Sequence, residues 1–354
     1  LIPIMSVKMG LNDDLMRYLA EIEEAGIYGN FGPQVHAMET EFSELVGVST
    51  SQLVSVSNAT LALQGAMLVL GCQTWVVPSW TFAATAHSAL LQDAKVYFGD
   101  VQANSWALDP SGVESGEGAV VTAPFGAQVS IGQEWNHVSA LVIDAAAAVG
   151  AFPVIGENFG RPWAIVVSLH ATKVLGIGEG AFVVFSTAEL ASRFRQWTNF
   201  GFFGSREAES PGTNAKLSEV SAAIARLRLA SWDEEQSTWR STRFIVHELC
   251  DRLGLNPPFS SESWISPYWI VDLPSPDIKK RLVQRLALEG IETRDWWSSG
   301  CHTMRAFANT EYRKPLEVTE HLASVSLGLP YFRSISEREL ATVGTILRQV
   351  VDSE

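Results

Sequence analysis

Two residues stand out for the chemistry they could perform together. Asp144 closes the apolar run Ala140-Leu141-Val142-Ile143, which reads as a buried strand. An ionised carboxylate there is costly unless a cation or a strong donor faces it. It either caps a following helix or is held to stabilise a positive group. Lys173 lies in Ser168-Leu169-His170-Ala171-Thr172-Lys173, just after the apolar run Ile165 to Ser168, and precedes Val174-Leu175-Gly176-Ile177-Gly178. A lysine amine partly withdrawn from water in such a setting is a nucleophile and a base. Only seven lysines occur in the chain. A lone lysine is ordinarily a surface residue; pairing with a carboxylate at a neighbouring strand end is what marks this one.

Three further stretches invite a chemical reading. Ser57-Asn58-Ala59-Thr60 follows the strand Leu53 to Val56 and opens a helical run to Leu70, so its free N–H groups and hydroxyl suit a phosphate, although a plain N-cap would look the same. Pro78-Ser79-Trp80-Thr81-Phe82 puts two aromatics at a strand end, for core packing or for stacking on a planar ligand. Gly176-Ile177-Gly178-Glu179-Gly180-Ala181 nearly fits GxGxxA, but Phe182 to Phe185 then reads as a strand where a dinucleotide site needs a helix. A turn passing close to a ligand or to Lys173 is the better reading.

The elements that must position these groups follow an alternating pattern. Helical spacing over Asp13 to Ala25 and Val35 to Leu45 is broken by Gly26, Gly29, Gly32 and Pro33. Short apolar runs at Leu53–Val56, Thr74–Val77, Lys95–Phe98, Ala119–Thr122, Ala140–Ile143, Ile165–Ser168 and Phe182–Phe185 then alternate with helices from Thr60 and Ala83. That predicts an α/β fold with a mostly parallel central sheet, whose ligands bind at the carboxyl ends of the strands. Helical patterns dominate from Ala188 to about His247. A strand over Trp264 to Val271 and helices over Lys279 to Glu289 and Ser336 to Val350 form a smaller α+β unit. The boundary falls near Arg240, within a long helix or at its end, giving a large unit 1–240 with an N-terminal helical segment and a small unit 241–354.

Composition narrows the classes. The chain has 354 residues, the length of two domains. Its 39 acidic and 25 basic residues leave a net charge of −14, without the footprint of a nucleic-acid or polybasic membrane-surface protein. Hydrophobic residues at 47% and charged residues at 18% belong to a globular enzyme. Cys72, Cys250 and Cys301 have no CxxC spacing, so neither a disulfide framework nor a zinc site is expected, and the expected home is the reducing cytoplasm. The opening residues do not read as a signal peptide. Val138 to Ile155 is apolar but contains Asp144, Gly150 and Pro153, and reads as protein interior.

Six blocks in order resemble the DegT-type (DegT/DnrJ/StrS) sugar aminotransferases, pyridoxal phosphate-dependent enzymes of the aspartate-aminotransferase fold, fold type I. They are Asn30-Phe31-Gly32-Pro33 with Glu39 and Phe42, Ser57 to Leu63, Pro78 to Thr85, Asp144-Ala145-Ala146, Ser168 to Lys173 and Gly212-Thr213-Asn214. The resemblance implies that Lys173 forms the Schiff base and that Asp144 sits beside the pyridine nitrogen. An ionised Asp keeps that nitrogen protonated, so the ring absorbs electrons released when a Cα–H bond breaks. It further implies that Phe82 stacks on the cofactor, that Ser168 and the Ala59-Thr60 turn contact its phosphate, and that Asn214 reaches the site of a neighbouring subunit. A homodimer with shared active sites is therefore expected.

Several positions depart from the family pattern. Ala147 stands where a Gln or His is usual, Ala59 and Ala181 replace glycines, and Cys72-Gln73 replaces an acidic pair. Lys173 itself bears on the reaction, because related dehydratases carry His there. The resemblance implies a ping-pong transamination in which L-glutamate converts the cofactor to pyridoxamine phosphate, which then aminates a nucleotide-linked keto-deoxysugar. Lys173 would carry the proton in both halves. Gly290-Ile291-Glu292-Thr293-Arg294-Asp295-Trp296-Trp297 with Gly300-Cys301-His302 resembles the nucleotide-sugar segment of enzymes acting on dTDP-4-keto-6-deoxyhexoses. There Arg294 would pair with phosphate and Trp296 would stack, unless Trp296 and Trp297 are interdomain packing. The alternatives are a pyridoxal phosphate-binding regulatory protein and a related dehydratase or epimerase.

Overall fold

The computed structural model describes residues 1–261 and 264–353. It opens with α1 (Asp14–Ala25) and α2 (Pro33–Val46). Pro33 stands in the first turn of α2 rather than in the loop before it, since its missing N–H has no partner to lose there. Next come β1 (Leu53–Val56), α3 (Ala59–Leu70), β2 (Thr74–Pro78), α4 (Ala83–Leu90), β3 (Lys95–Gly99) and β4 (Gly118–Thr122). A two-stranded ribbon, β5 (Ser130–Ile131) with β7 (Val154–Ile155), brackets β6 (Ala140–Asp144). The alternation ends with β8 (Trp163–Ser168) and β9 (Ala181–Phe185).

Among the described residues, eight strands form one sheet in the order β1-β9-β8-β6-β4-β2-β3-β11, where β11 is the short edge strand Glu311–Tyr312. The pairs from β8 through β11 are parallel, and β9 runs antiparallel to both β1 and β8. Two residues are too few for a sequence pattern to reveal, so β11 was not foreseen.

Strands β4, β6 and β9 are buried along their whole length because both faces are covered. Successive residues point to opposite layers. Leu141, Ile143, Ile165 and Val167 join a cluster with Phe42 of α2, whereas Val142 and Val166 join another with Leu63 of α3 and Phe194. The approach of α3 depends on Gly65, where a Cβ would collide with the rings of Phe194 and Trp197.

Helices α5 (Ala188–Thr198), α6 (Glu219–Ala230) and α7 (Trp232–Leu253) follow. The helical run expected from Ala188 to His247 is therefore interrupted by irregular chain between 199 and 218. Arg240 lies inside α7, which continues unbroken past it. Beyond it are β10 (Trp269–Asp272), α8 (Pro276–Leu288), α9 (Glu317–Val325), β12 (Ser326–Leu329) and α10 (Glu337–Val351), with β10 antiparallel to β12. The strand expected over Trp264 to Val271 is correct only from Trp269. Pro267 cannot donate to a ladder, and the apolar residues before it are buried as loop. One hydrophobic cluster takes in sheet residues such as Ile143 together with Trp269, Leu282 and Leu347.

Candidate active site

The carboxyl ends of β4, β6 and β8 lie on one edge of the sheet, where Thr122 pairs with Asp144 and Asp144 with Val166. A cavity of about 680 Å³ opens there. Eight of the nine residues expected at the site line it: Lys173, Asp144, Phe82, Ala59, Thr60, Ser168, Arg294 and Trp296. The exception is Asn214, which is exposed, accepts a hydrogen bond from Lys216 Nζ at 2.8 Å, and does not line the cavity of its own chain.

Asp144 is 5% exposed. No helix follows it, so it is not a helix cap; its Oδ1 accepts from the Ala146 N–H at 3.2 Å and its Oδ2 from the Thr85 hydroxyl at 2.6 Å. Thr85 continues into a buried hydroxyl chain through Thr81 to Thr122. Burial pushes the Asp144 carboxyl above the usual carboxylate range, opposed by the Thr85 and Ala146 hydrogen bonds and by the charge of Lys173. Among the described residues no cation stands within ion-pair distance of it. A buried carboxylate with only neutral donors is suited to a ligand that brings the positive charge.

Lys173 is half-buried in the turn after β8, its N–H bonded to the His170 carbonyl at 2.8 Å. The Ser168 hydroxyl accepts from the His170 N–H at 3.1 Å. The glycine-rich stretch after Lys173 leads into β9, as its strand reading required, and the Ala171 N–H meets the Gly178 carbonyl at 2.8 Å. Lys173 Nζ donates to the Tyr268 hydroxyl at 2.8 Å.

Asn58, also on the cavity wall, caps α3, accepting from the Leu61 N–H at 2.9 Å. The N–H groups of Ala59 and Thr60, in the same first turn, have no partner within the helix and remain for an anion. The two aromatics after β2 divide: Trp80 is buried, while Phe82, the N-cap of α4, is 61% exposed and belongs to no core cluster. A largely exposed ring at a cavity wall is available to cover a planar ligand.

The segment 290–297 supplies a third wall. Arg294 bridges to Gly328 by two backbone hydrogen bonds, and its guanidinium lies 5.0 Å from the Trp296 ring. It has no carboxylate within ion-pair distance among the described residues. Trp296 is packing and lining at once: its Nε1 is buried without an acceptor beside Gly328, whereas its ring borders the cavity.

Sequence reasoning missed Phe125, Tyr268 and Thr85 as site residues. Phe125 stacks on Trp297 at 4.1 Å and 13°, and Trp80, Trp297 and Ala147 share its cluster. Ala147 packs in the same cluster as these aromatics and also lines the cavity. No local signal marks Phe125 or Tyr268, because each is brought to the cavity by a turn or loop. Thr85 had a usable signal, three residues past the exposed Phe82 on the same helix turn.

Comparison with known proteins places the fold and the family. The solved structure of DesI in the presence of its TDP-sugar product is similar with a TM-score of 0.81 and 28% identity, covering 98% of this chain and 91% of that one. Protein Rv3402c of Mycobacterium tuberculosis is 28% identical, over 93% of this chain and 85% of its own. The dTDP-4-amino-4,6-dideoxy-D-glucose transaminase of Shigella dysenteriae is 26% identical over 96% of both chains. The fold is that of the fold type I, pyridoxal phosphate-dependent aminotransferases. The chain belongs to the DegT/DnrJ/EryC1/StrS aminotransferase family, whose model matches residues 10–348.

Proposed function

We propose that this enzyme transfers the amino group of L-glutamate to a nucleotide-linked keto-deoxysugar, with a dTDP-4-keto-6-deoxyhexose as the leading candidate. The observation that carries the reading is that Lys173 and Asp144 line one cavity with Phe82 and the N-terminus of α3 between the same walls. The names of the Shigella transaminase and of the DesI complex support the sugar class.

The residues fit pyridoxal phosphate. Asp144 would face the ring nitrogen, Phe82 would cover the ring, and Ala59, Thr60 and Ser168 would hold the phosphate. Bound there, the cofactor supplies an electron sink for breaking the Cα–H bond of an amino acid and, as pyridoxamine phosphate, an amine for a keto carbon. Lys173 Nζ holds the cofactor and moves the proton in each half of the reaction. Arg294 pairs with a substrate phosphate and Trp296 borders the sugar or base. Asn214, which does not line its own cavity, reaches the cofactor site of the neighbouring subunit in a homodimer.

The test has three stages. Purified protein with added pyridoxal phosphate is expected to show an absorbance that borohydride fixes onto Lys173, mapped by peptide mass spectrometry. Glutamate should then yield one 2-oxoglutarate per site, and a panel of dTDP-, UDP- and GDP-linked keto sugars should identify the acceptor. If no label reaches Lys173, the cofactor assignment is wrong. Labelling without 2-oxoglutarate would instead favour a cofactor-binding regulatory protein.

A further inference from the structure

Tyr268 belongs to no motif of the site, yet it is the hydrogen-bond partner of the Lys173 amine. Nζ lies 2.8 Å from the phenol oxygen and 5.2 Å from the ring centroid. The tyrosine is itself fixed on several sides. Its ring meets Phe125 edge-on at 5.6 Å and Trp296 at 4.9 Å. Its N–H donates to Ser266 Oγ at 3.2 Å, and that hydroxyl, 1% exposed, donates to the Phe125 carbonyl at 2.5 Å. Phe125 holds a left-handed backbone, φ 52°, which a bulky residue keeps only when its surroundings over-determine it. A rigid phenol from the segment before β10 thus reaches a flexible amine on the turn after β8.

A lysine side chain has many rotamers, and a fixed acceptor selects one. The chain offers Lys173 a carboxylate in the same cavity, Asp144, yet forms no ion pair with it within 4.0 Å; the amine is held by Tyr268 instead. We propose that Tyr268 is a positioning residue, which keeps the free Lys173 amine on the cavity wall, ready to meet an aldehyde and later to give or take a proton. This rests on the reading of Lys173 as the cofactor lysine.

The experiment compares the cofactor-free wild type with Tyr268→Phe, which keeps the ring and loses only the hydroxyl. The first readout is the stopped-flow rate of pyridoxal phosphate capture, in which the amine nitrogen adds to the aldehyde carbon and one water leaves. The second is the equilibrium affinity for pyridoxamine phosphate, which has no aldehyde and reports the pocket alone. Capture is expected to slow about tenfold, the scale of one hydrogen bond, while pyridoxamine phosphate affinity stays within about twofold. An unchanged capture rate overturns the proposal, and so does a parallel loss of both, which marks a structural role. If Tyr268→Phe does not fold, Ser266→Ala frees the tyrosine backbone and is expected to slow capture about threefold at constant pyridoxamine phosphate affinity; no slowing there also overturns it. Absence of capture by the wild type is a separate result, which removes the cofactor reading of Lys173 and this proposal with it.

Discussion

The Thr85 hydroxyl donates to the Asp144 carboxylate at 2.6 Å, joining the first turn of α4 to the end of β6. One helix therefore sets two parts of the site, since Phe82 caps the same turn that carries Thr85. The carboxylate gains a strong hydrogen bond but no charge, and it remains costly to ionise in the absence of a cationic ligand.

That cost gives a pH-dependent prediction. Burial raises the folded-state pKa of Asp144 above its unfolded value. Its contribution to stability is therefore fully present below the unfolded pKa and is lost as pH rises through the folded one. Cofactor-free Asp144→Asn avoids this loss, so its melting temperature should exceed that of the wild type at neutral pH, with the gap closing in acid. The same variant should slow the glutamate half-reaction by about 100-fold or more, followed by single-turnover absorbance.

Phe82→Ala should weaken cofactor binding by about 5- to 10-fold, the range of an aromatic stacking contact. Because the ring is largely exposed, the melting temperature of the cofactor-free protein should hardly move. Equilibrium dialysis and thermal denaturation separate the two effects.

Glu39 has a purely structural job. It is 1% exposed and accepts hydrogen bonds from the Ser55 N–H, the Ser55 hydroxyl and Arg195, each at 2.8 Å. Glu39→Ala should cost about 3 kcal/mol in urea unfolding, because it strands both a buried N–H and a partly buried guanidinium.

The three cysteines should resist alkylation in the native state. Burial pushes the Cys72 and Cys250 thiols up to about 11 and Cys301 up to about 12. Very little thiolate exists at pH 8, so iodoacetamide labelling read by mass spectrometry should be slow until denaturant is added. Rapid native labelling of Cys301 would contradict the packing that buries it between Thr81 and the sheet.

Arg294→Ala should raise the KM for the nucleotide sugar about tenfold and leave the glutamate half-reaction unchanged, as loss of one charge-assisted phosphate contact requires. Steady-state kinetics with the acceptor and single turnover with glutamate test the two halves apart.

Much of this was legible along the chain. Strands such as β4, β6 and β9 are buried on both faces, so unbroken apolar runs announce them, and the polar residue ending such a run, Asp144 or Ser168, falls on the ligand edge of the sheet. Lys173 could be picked out because lysine is scarce here and its neighbours are apolar and glycine-rich. Less was legible after β9. The loop 264–268 is apolar and aromatic, and its burial by tertiary contacts mimics a strand, whereas 199–218, with Gly201, Gly204, Pro211 and Gly212, is largely exposed and breaks the helical run.

The residue order alone thus determined the alternating elements and singled out Lys173 and Asp144 as candidates, because periodicity and side-chain chemistry are local properties. Folding decided everything that depends on distance between remote segments: the hydroxyl of Thr85 on Asp144, the phenol of Tyr268 on Lys173, the aromatics beside Ala147, and the exclusion of Asn214 from its own cavity. Those contacts arise from the sheet order and from the docking of the C-terminal residues on it, for which a one-dimensional pattern carries no register.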